Sequence, residues 1–272
     1  MRFLALSGIF ASDRNSEAET YSLNPLSLLL VDGEIGEEHG YQKNFVLGLY
    51  SRYCMEAALN LANWFKKDMA PPLPSPFEDL HGLPLFDEST PLLDKEQDEM
   101  VNASCAALDN FGIGTLIREC TDLFNGLQSL TDCCGGDGRT VRALIKAFPH
   151  IKCTVLDLPK VIKINTAKDH GINFVAACTA PLDCVKILSQ CRKAIPSRDE
   201  GGKVIIIEVI SDPSLGPIMY EAQLLLDMLM FVNTCGRQRG ENEWREIFMN
   251  SGFSDYKIVK KLGARAVFEV YP

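Results

Sequence analysis

Apolar residues recur at Met55, Ala58, Leu59, Ala62 and Phe65, and this spacing predicts a helix with one buried stripe over Tyr53–Lys67. Ahead of it, Arg2–Phe10 is apolar and helix-like, Ala11–Thr20 is polar, and Tyr21–Pro25 reads as a short extended piece. Helix, polar turn and strand-like wing in that order suggest a small winged-helix element. The proline-rich stretch Ala70–Pro76 ends the Tyr53–Lys67 helix. Asp87–Asp98 is acidic and turn-rich, and helical spacing returns over Met100–Cys120.

From Leu127 the texture changes to short β-like runs alternating with helical ones. The β-like runs are Leu130–Cys134, Cys153–Leu156, Asn173–Ala176, Lys203–Ile210, Tyr256–Val259 and Ala266–Tyr271. The helical ones are Thr140–Phe148, Cys184–Ile195, Met219–Asn233 and Glu241–Ser251. Such alternation predicts an α/β domain with a mostly parallel sheet and helices on both faces. The last two runs, joined at Gly263, predict an antiparallel hairpin at the sheet edge. The division expected from this pattern is a mainly helical, partial winged-helix or dimerisation domain over residues 1–100 and a Rossmann-like domain over 101–272.

Composition narrows the function. The formal charge of −9 over 272 residues offers nothing to offset repulsion from a phosphate backbone, so no nucleic-acid partner is expected and the winged-helix element reads as a packing or dimerisation module. No apolar run is long enough to span a membrane. Met1–Ser12 has one positive charge and a short apolar stretch, and reads as an amphipathic helix rather than a signal peptide. The ten cysteines show no CxxC pair and no secreted-scaffold spacing, which points to reduced thiols and a cytoplasmic location.

The chemistry is concentrated after the first β-like run, in Asp132-Cys-Cys-Gly-Gly-Asp-Gly138. Glycines at a strand-to-helix turn let the backbone approach a ligand, and the helix start beyond favours an anionic group. Asp157 closes the second run about 20 residues on, where an acid accepts hydrogen bonds from ribose hydroxyls. The glycine spacing is not G-x-G-x-x-G, and the acid at Asp132 suits an adenosyl cofactor better than a pyrophosphate.

The stretch Leu127–Pro159, with Gly202–Glu208, Asp227–Met230, Glu243-Trp244, Ser251–Lys257 and Glu269–Pro272, resembles the plant S-adenosylmethionine-dependent O-methyltransferases that methylate caffeic acid, flavonoids and related phenols. Met1–Gly8 and Tyr21–Pro25 resemble that family's winged-helix dimerisation domain, so the likeness covers essentially the whole chain. It implies S-adenosylmethionine as cofactor, held at Asp132, Cys134, Gly136, Gly138 and Asp157, and a phenolic small molecule as acceptor. Cys134 replaces the family's first turn glycine, which implies weaker binding.

Larger departures follow the third strand. The family there continues through an Asp-Met-Phe adenine-contact motif and a fourth strand to the His-Asp-Trp segment of its general base. Here Ala177–Leu182 passes directly to Asp183–Leu188, which resembles the helix beyond that histidine, so a strand and its loops, about 20–30 residues, are lacking near 177–183. None of His39, His81, His150 and His170 occupies the base position. Glu208 matches one of two glutamates flanking the base and Gln238 falls on the other, leaving Glu208 a catalytic remnant. The missing strand lies beside the first strand, so it leaves hydrogen-bonding edges open unless Lys203–Ile210 moves across. The resemblance also implies that the family's interlocking opening helices are lacking.

The expected function is therefore an inactive homologue of the phenol O-methyltransferases. Two alternatives stand beside it: an active enzyme with a relocated base, and a non-enzymatic partner that dimerises with itself or with full-length paralogues.

Overall fold

The computed structural model describes residues 1–13, 19–32, 42–68, 72–86, 95–165, 171–176 and 183–272. His39, most of the acidic stretch (87–94), His170 and 177–182 lie outside the described residues. Chain contacts divide the molecule into one unit of Met1–Ser51 with Leu93–Gly112 and another of Arg52–Leu92 with Ile113–Pro272.

In the first unit, helix α1 (Arg2–Leu6) ends before Gly8, which takes the left-handed φ of 77° that stops a helix. Phe10 therefore leaves the expected helix, and Phe10–Asp13 forms strand β1, antiparallel to β2 (Thr20–Leu23) with Phe10 opposite Leu23. The residues read as polar turn thus begin as strand. Asn24 starts α2 (Pro25–Leu28), its side chain accepting from the N–H groups of Leu26 and Ser27. Helix α3 (Gln42–Leu49) lies on α7 (Lys95–Asn110) at very close range: a Cβ on Gly48 would fall 2.3 Å from Ser104 Oγ. Gln42 Nε2 donates to the Ala107 carbonyl at 2.8 Å across the same contact.

The second unit opens with α4 (Arg52–Leu59), α5 (Leu61–Trp64) and α6 (Pro76–His81). The continuous helix expected over Tyr53–Lys67 is interrupted at Asn60, whose side chain accepts a local bond from Asn63 Nδ2 at 2.9 Å. Met100–Cys120 is likewise split, because Gly112 at φ 83° separates α7 from α8 (Ile113–Glu119).

The α/β part runs β3 (Ser129–Cys133), α9 (Arg139–Ala147), β4 (Lys152–Asp157), α10 (Pro159–Asn165), β5 (Asn173–Ala176), α11 (Cys184–Ala194) and β6 (Val204–Val209), the anticipated order with α10 added to it. Helices α12 (Pro217–Thr234) and α13 (Glu241–Asn250) and the hairpin β7 (Asp255–Leu262) and β8 (Arg265–Tyr271) complete it. Pairing among the described strands is mixed. One ladder runs β3–β4–β5, all parallel, and the other β6–β8–β7, all antiparallel. Residues 203–210 do not cross to β3: β6 pairs only with β8, so β3 and β6 each keep an edge that no described strand occupies.

Side chains hold the two ladders together. Cys153 and Val155 of β4, Val141 and Leu144 of α9 and Val267 of β8 share one buried cluster, with Ile205 of β6 packed against it. A second cluster gathers Leu188 of α11, Trp244 and Phe248 of α13, and Ala266, Phe268 and Val270 of β8. Each fully buried aliphatic or aromatic side chain contributes about 1.5–3 kcal/mol.

At the far end of β8, Glu269 is 5% exposed and accepts from Lys203 Nζ at 2.6 Å and Lys257 Nζ at 2.7 Å. Burial pushes its carboxyl up, but hydrogen bonds from Lys203, Lys257 and Tyr271 outweigh burial and hold it below the usual carboxylate range. Glu269→Ala leaves Lys203 without its buried counter-charge and should cost about 3 kcal/mol at neutral pH. Because the folded-state value is depressed, the Glu269 contribution is present above the unfolded carboxylate pKa and is lost as pH falls through the folded one. Urea unfolding should therefore show the gap between wild type and variant narrowing below about pH 4. A gap unchanged by acid would contradict this ion pair.

Candidate functional site: the glycine turn after β3

The turn is built by the end of β3, the end of β4 and the start of α9. Cys134 follows β3 at φ 63°, a left-handed conformation that suits glycine and strains a side chain. What holds it there is the neighbouring strand: Cys134 N donates to the Leu156 carbonyl of β4 at 2.7 Å, extending the ladder by one residue. Gly136 and Gly138 are also left-handed, at φ 57° and 79°.

Asp157 is brought to the turn as its sequence position predicts. Its Oδ2 accepts from Gly136 N at 2.8 Å and its Oδ1 from Leu158 N at 2.6 Å, so the acid braces the loop from the neighbouring strand. Asp132 leans over Gly135, where an added Cβ would come within 2.6 Å of its Oδ2. Gly135 was not among the residues singled out from sequence; the adjacent glycine pair was the available signal, and only the fold shows which carboxylate crowds it. Gly138 starts α9, and a Cβ there would meet Phe174 of β5 at 3.1 Å. It is therefore needed for packing against the third strand as well as for its φ.

The helix start is partly satisfied from within. Asp137 Oδ1 accepts from Arg139 N at 3.0 Å, and Arg139 Nε sits 2.8 Å from its Oδ2. One donor that the sequence offered to an external anion thus has an internal carboxylate. Open space remains above Gly136, where an added Cβ would meet nothing within 4 Å.

Glu208 stands at the end of β6, on the other ladder. Burial pushes its carboxyl up, while Val209 N, donating to its Oε1 at 2.7 Å, and the charges of Arg265 and Arg239 pull it down less strongly. The two described histidines lie elsewhere. His81 on α6 bonds the Tyr53 carbonyl at 3.0 Å between the rings of Tyr53 and Phe77. His150 precedes β4, hence at the opposite end of the strands from the turn, with its ring against Phe148. Gln238 donates its backbone N–H to Asp227.

A parallel β-α-β with a glycine turn after its first strand and an acid closing its second defines a Rossmann-like cofactor-binding fold. The chain belongs to the O-methyltransferase domain family, whose model matches residues 59–178 and 179–254. It is 59% identical to "Probable O-methyltransferase 2" of Sorghum bicolor, covering all of this chain and 80% of that one. It is 54% identical to daphnetin O-methyltransferase 1 of Secale cereale, covering all of this chain and 82% of the other. Among solved structures, human N-acetylserotonin methyltransferase in complex with SAM superimposes with a TM-score of 0.75 at 15% identity, over 99% of this chain and 81% of that one.

Two details of these matches bear on the turn's surroundings. The family match is interrupted between residues 178 and 179. The Sorghum alignment runs over 296 positions against 272 residues here, so at least 24 positions are filled only by the relative.

The strain at Cys134 is directly measurable. Cys134→Gly should raise stability by about 1 kcal/mol by removing a left-handed side-chain residue, while Gly138→Ala should cost about 1–2 kcal/mol or more through φ and Phe174 together. Thermal and urea unfolding of the two variants should move in opposite directions. A destabilised Cys134→Gly would mean the thiol contributes more than its backbone costs.

Proposed function

We propose that this chain is an inactive homologue of the plant O-methyltransferases that methylate phenolic hydroxyls, retaining part of the S-adenosylmethionine site. One coincidence carries the reading. The sheet parts into two ladders at β3 and β6, and the family match breaks at 178–179, between the strands flanking that gap. The resemblance assigns to this place both the adenine contacts and the histidine base.

The residues present suit one end of the cofactor. In this reading the methionine portion would lie over Gly136, where an added Cβ meets nothing within 4 Å, and Asp157, which accepts from Gly136 N, would take the ribose hydroxyls. Cys134 places a side chain where that family has a glycine. S-adenosylmethionine supplies an electrophilic methyl group when bound. A phenol becomes a competent nucleophile only if a base takes its proton. His81 and His150 are engaged away from the turn, so among the described residues no histidine is placed to do so.

Calorimetry with S-adenosylhomocysteine and a labelled-methyl transfer assay on daphnetin, caffeic acid and flavonols test this reading. Weak binding that Asp157→Ala reduces by about tenfold or more, without turnover, is the expected result. Sustained turnover would overturn it. If Glu208→Gln then abolished that turnover, the alternative of a relocated base would stand, an alternative favoured by the raised Glu208 carboxyl.

The same substitution has a separate stability signature. Glu208 has a raised folded-state value, so the folded chain holds its proton more tightly and loses stability as pH rises through the titration. Glu208→Gln should therefore be more stable than wild type at neutral pH and lose that advantage in acid, as scanning calorimetry can show.

A second reading, pairing with another copy or a paralogue, is favoured by the apolar surface of α12, where Ile218 is 84% and Leu225 66% exposed. Light scattering distinguishes monomer from dimer. Among the described residues no helix is long and apolar enough to cross a membrane. The cysteine spacing, without a CxxC pair or a secreted-scaffold pattern, supports a reducing, cytoplasmic setting.

A further inference from the structure

Backbone bonds reveal which residues of β3 and β6 turn away from their one described neighbour. Along a paired strand, alternate residues direct both N–H and C=O to the same side. The Gln128 carbonyl accepts from Lys152 N at 3.0 Å, and Cys134 N donates to the Leu156 carbonyl at 2.7 Å, both toward β4. By that alternation Leu130 and Asp132 also bond β4, whereas Ser129, Thr131 and Cys133 turn their backbone groups to the opposite edge. Those three are the exposed residues of β3. On β6, Ile210 N donates to the Ala264 carbonyl at 3.2 Å, extending the ladder with β8. Val204, Ile206 and Glu208 therefore bond β8, while Ile205, Ile207 and Val209 face outward. The outward Val209 N–H donates to the neighbouring Glu208 Oε1 at 2.7 Å, so a side chain takes the place of a strand there. Ile207 lies 38% exposed on the same edge.

Both edges border one core, since Leu130 of β3 and Ile205 of β6 pack against the same cluster around Val155 and Val267. The relatives indicate what such a space accepts. At least 24 positions of the Sorghum alignment are filled only by the relative, and the family match breaks at 178–179, between β5 and β6. That length suffices for one strand of about 5–6 residues with its loops. We propose that the space between β3 and β6 is a docking slot for one extended segment of another polypeptide, apolar at alternate positions and of the kind the relatives carry within their own chain. This inference does not rest on whether the chain transfers methyl groups. Main-chain bonds to Thr131, Cys133, Ile205 and Ile207 hold the segment, and its apolar side chains cover Ile207. The formal charge of −9 favours a neutral or basic segment over an acidic one.

The test uses the full chain and a synthetic peptide of the Sorghum relative's residues that fall in the break at 178–179. Amide hydrogen exchange is followed with the peptide, with a scrambled version of it, and without either. Exchange at Thr131, Cys133, Ile205 and Ile207 is expected to be fast in the free chain and slowed by about tenfold or more at saturating peptide, with no change from the scrambled one. Thr131→Pro removes an outward N–H and spares the β4 ladder, so this variant should fold and bind the peptide about tenfold more weakly. No slowing at these amides, or equal slowing with the scrambled peptide, would overturn the proposal. So would protection already present in the free chain, because the edges are then paired. Protection that grows with protein concentration alone would assign the slot to a second copy and overturn it too. The exchange measurement is made on the wild-type chain, so it decides the matter even if Thr131→Pro fails to fold.

Discussion

Strand β3 exchanges backbone hydrogen bonds with β4 on one side, and β6 with β8 on one side. Between them no described strand continues the sheet. A sheet normally transmits order laterally through such bonds, and an unoccupied edge leaves polar backbone groups to solvent. Here the halves of the α/β unit are held by apolar burial instead. Val267 of β8 reaches into the cluster formed by Val141, Leu144, Cys153 and Val155, and Ile205 of β6 packs against it. The β3 residues show the effect: Ser129, Thr131 and Cys133 are exposed, although a strand between two neighbours in an α/β sheet is ordinarily buried on both faces.

The cofactor turn survives this division because its supports all come from the intact parallel ladder. Cys134 is fixed by Leu156, Gly136 by Asp157, and Gly138 by close approach to Phe174. These partners sit on β4 and β5, on the side of β3 away from the gap.

Much of this was legible in the chain itself. Each strand after Leu127 and each helix but Pro159–Asn165 falls where the alternation of apolar and polar positions puts it, and Asp132, Gly136, Gly138 and Asp157 gather around one turn. Local breaks were not legible to the same degree. Tyr53–Lys67 has one uninterrupted helical stripe, yet Asn60 divides it; Phe10 reads as helix, yet Gly8 ends α1 and releases Phe10 into a strand. At Gly8 a left-handed backbone conformation overrides the periodic pattern, and periodicity reports only the average environment of a face.

The sequence by itself determined the family and most of the order of elements, because hydrophobic period and glycine placement are properties of neighbouring residues. Tertiary structure decided the rest. It decided that β6 pairs with β8 from Val204–Val270 to Val209–Arg265 and leaves its other edge without a described strand instead of crossing to β3. It decided that Gly135 is crowded by Asp132 and that Gly138 answers to Phe174. Those are contacts between residues distant in sequence or turned by the fold, and no spacing along the chain encodes which side chain will stand opposite.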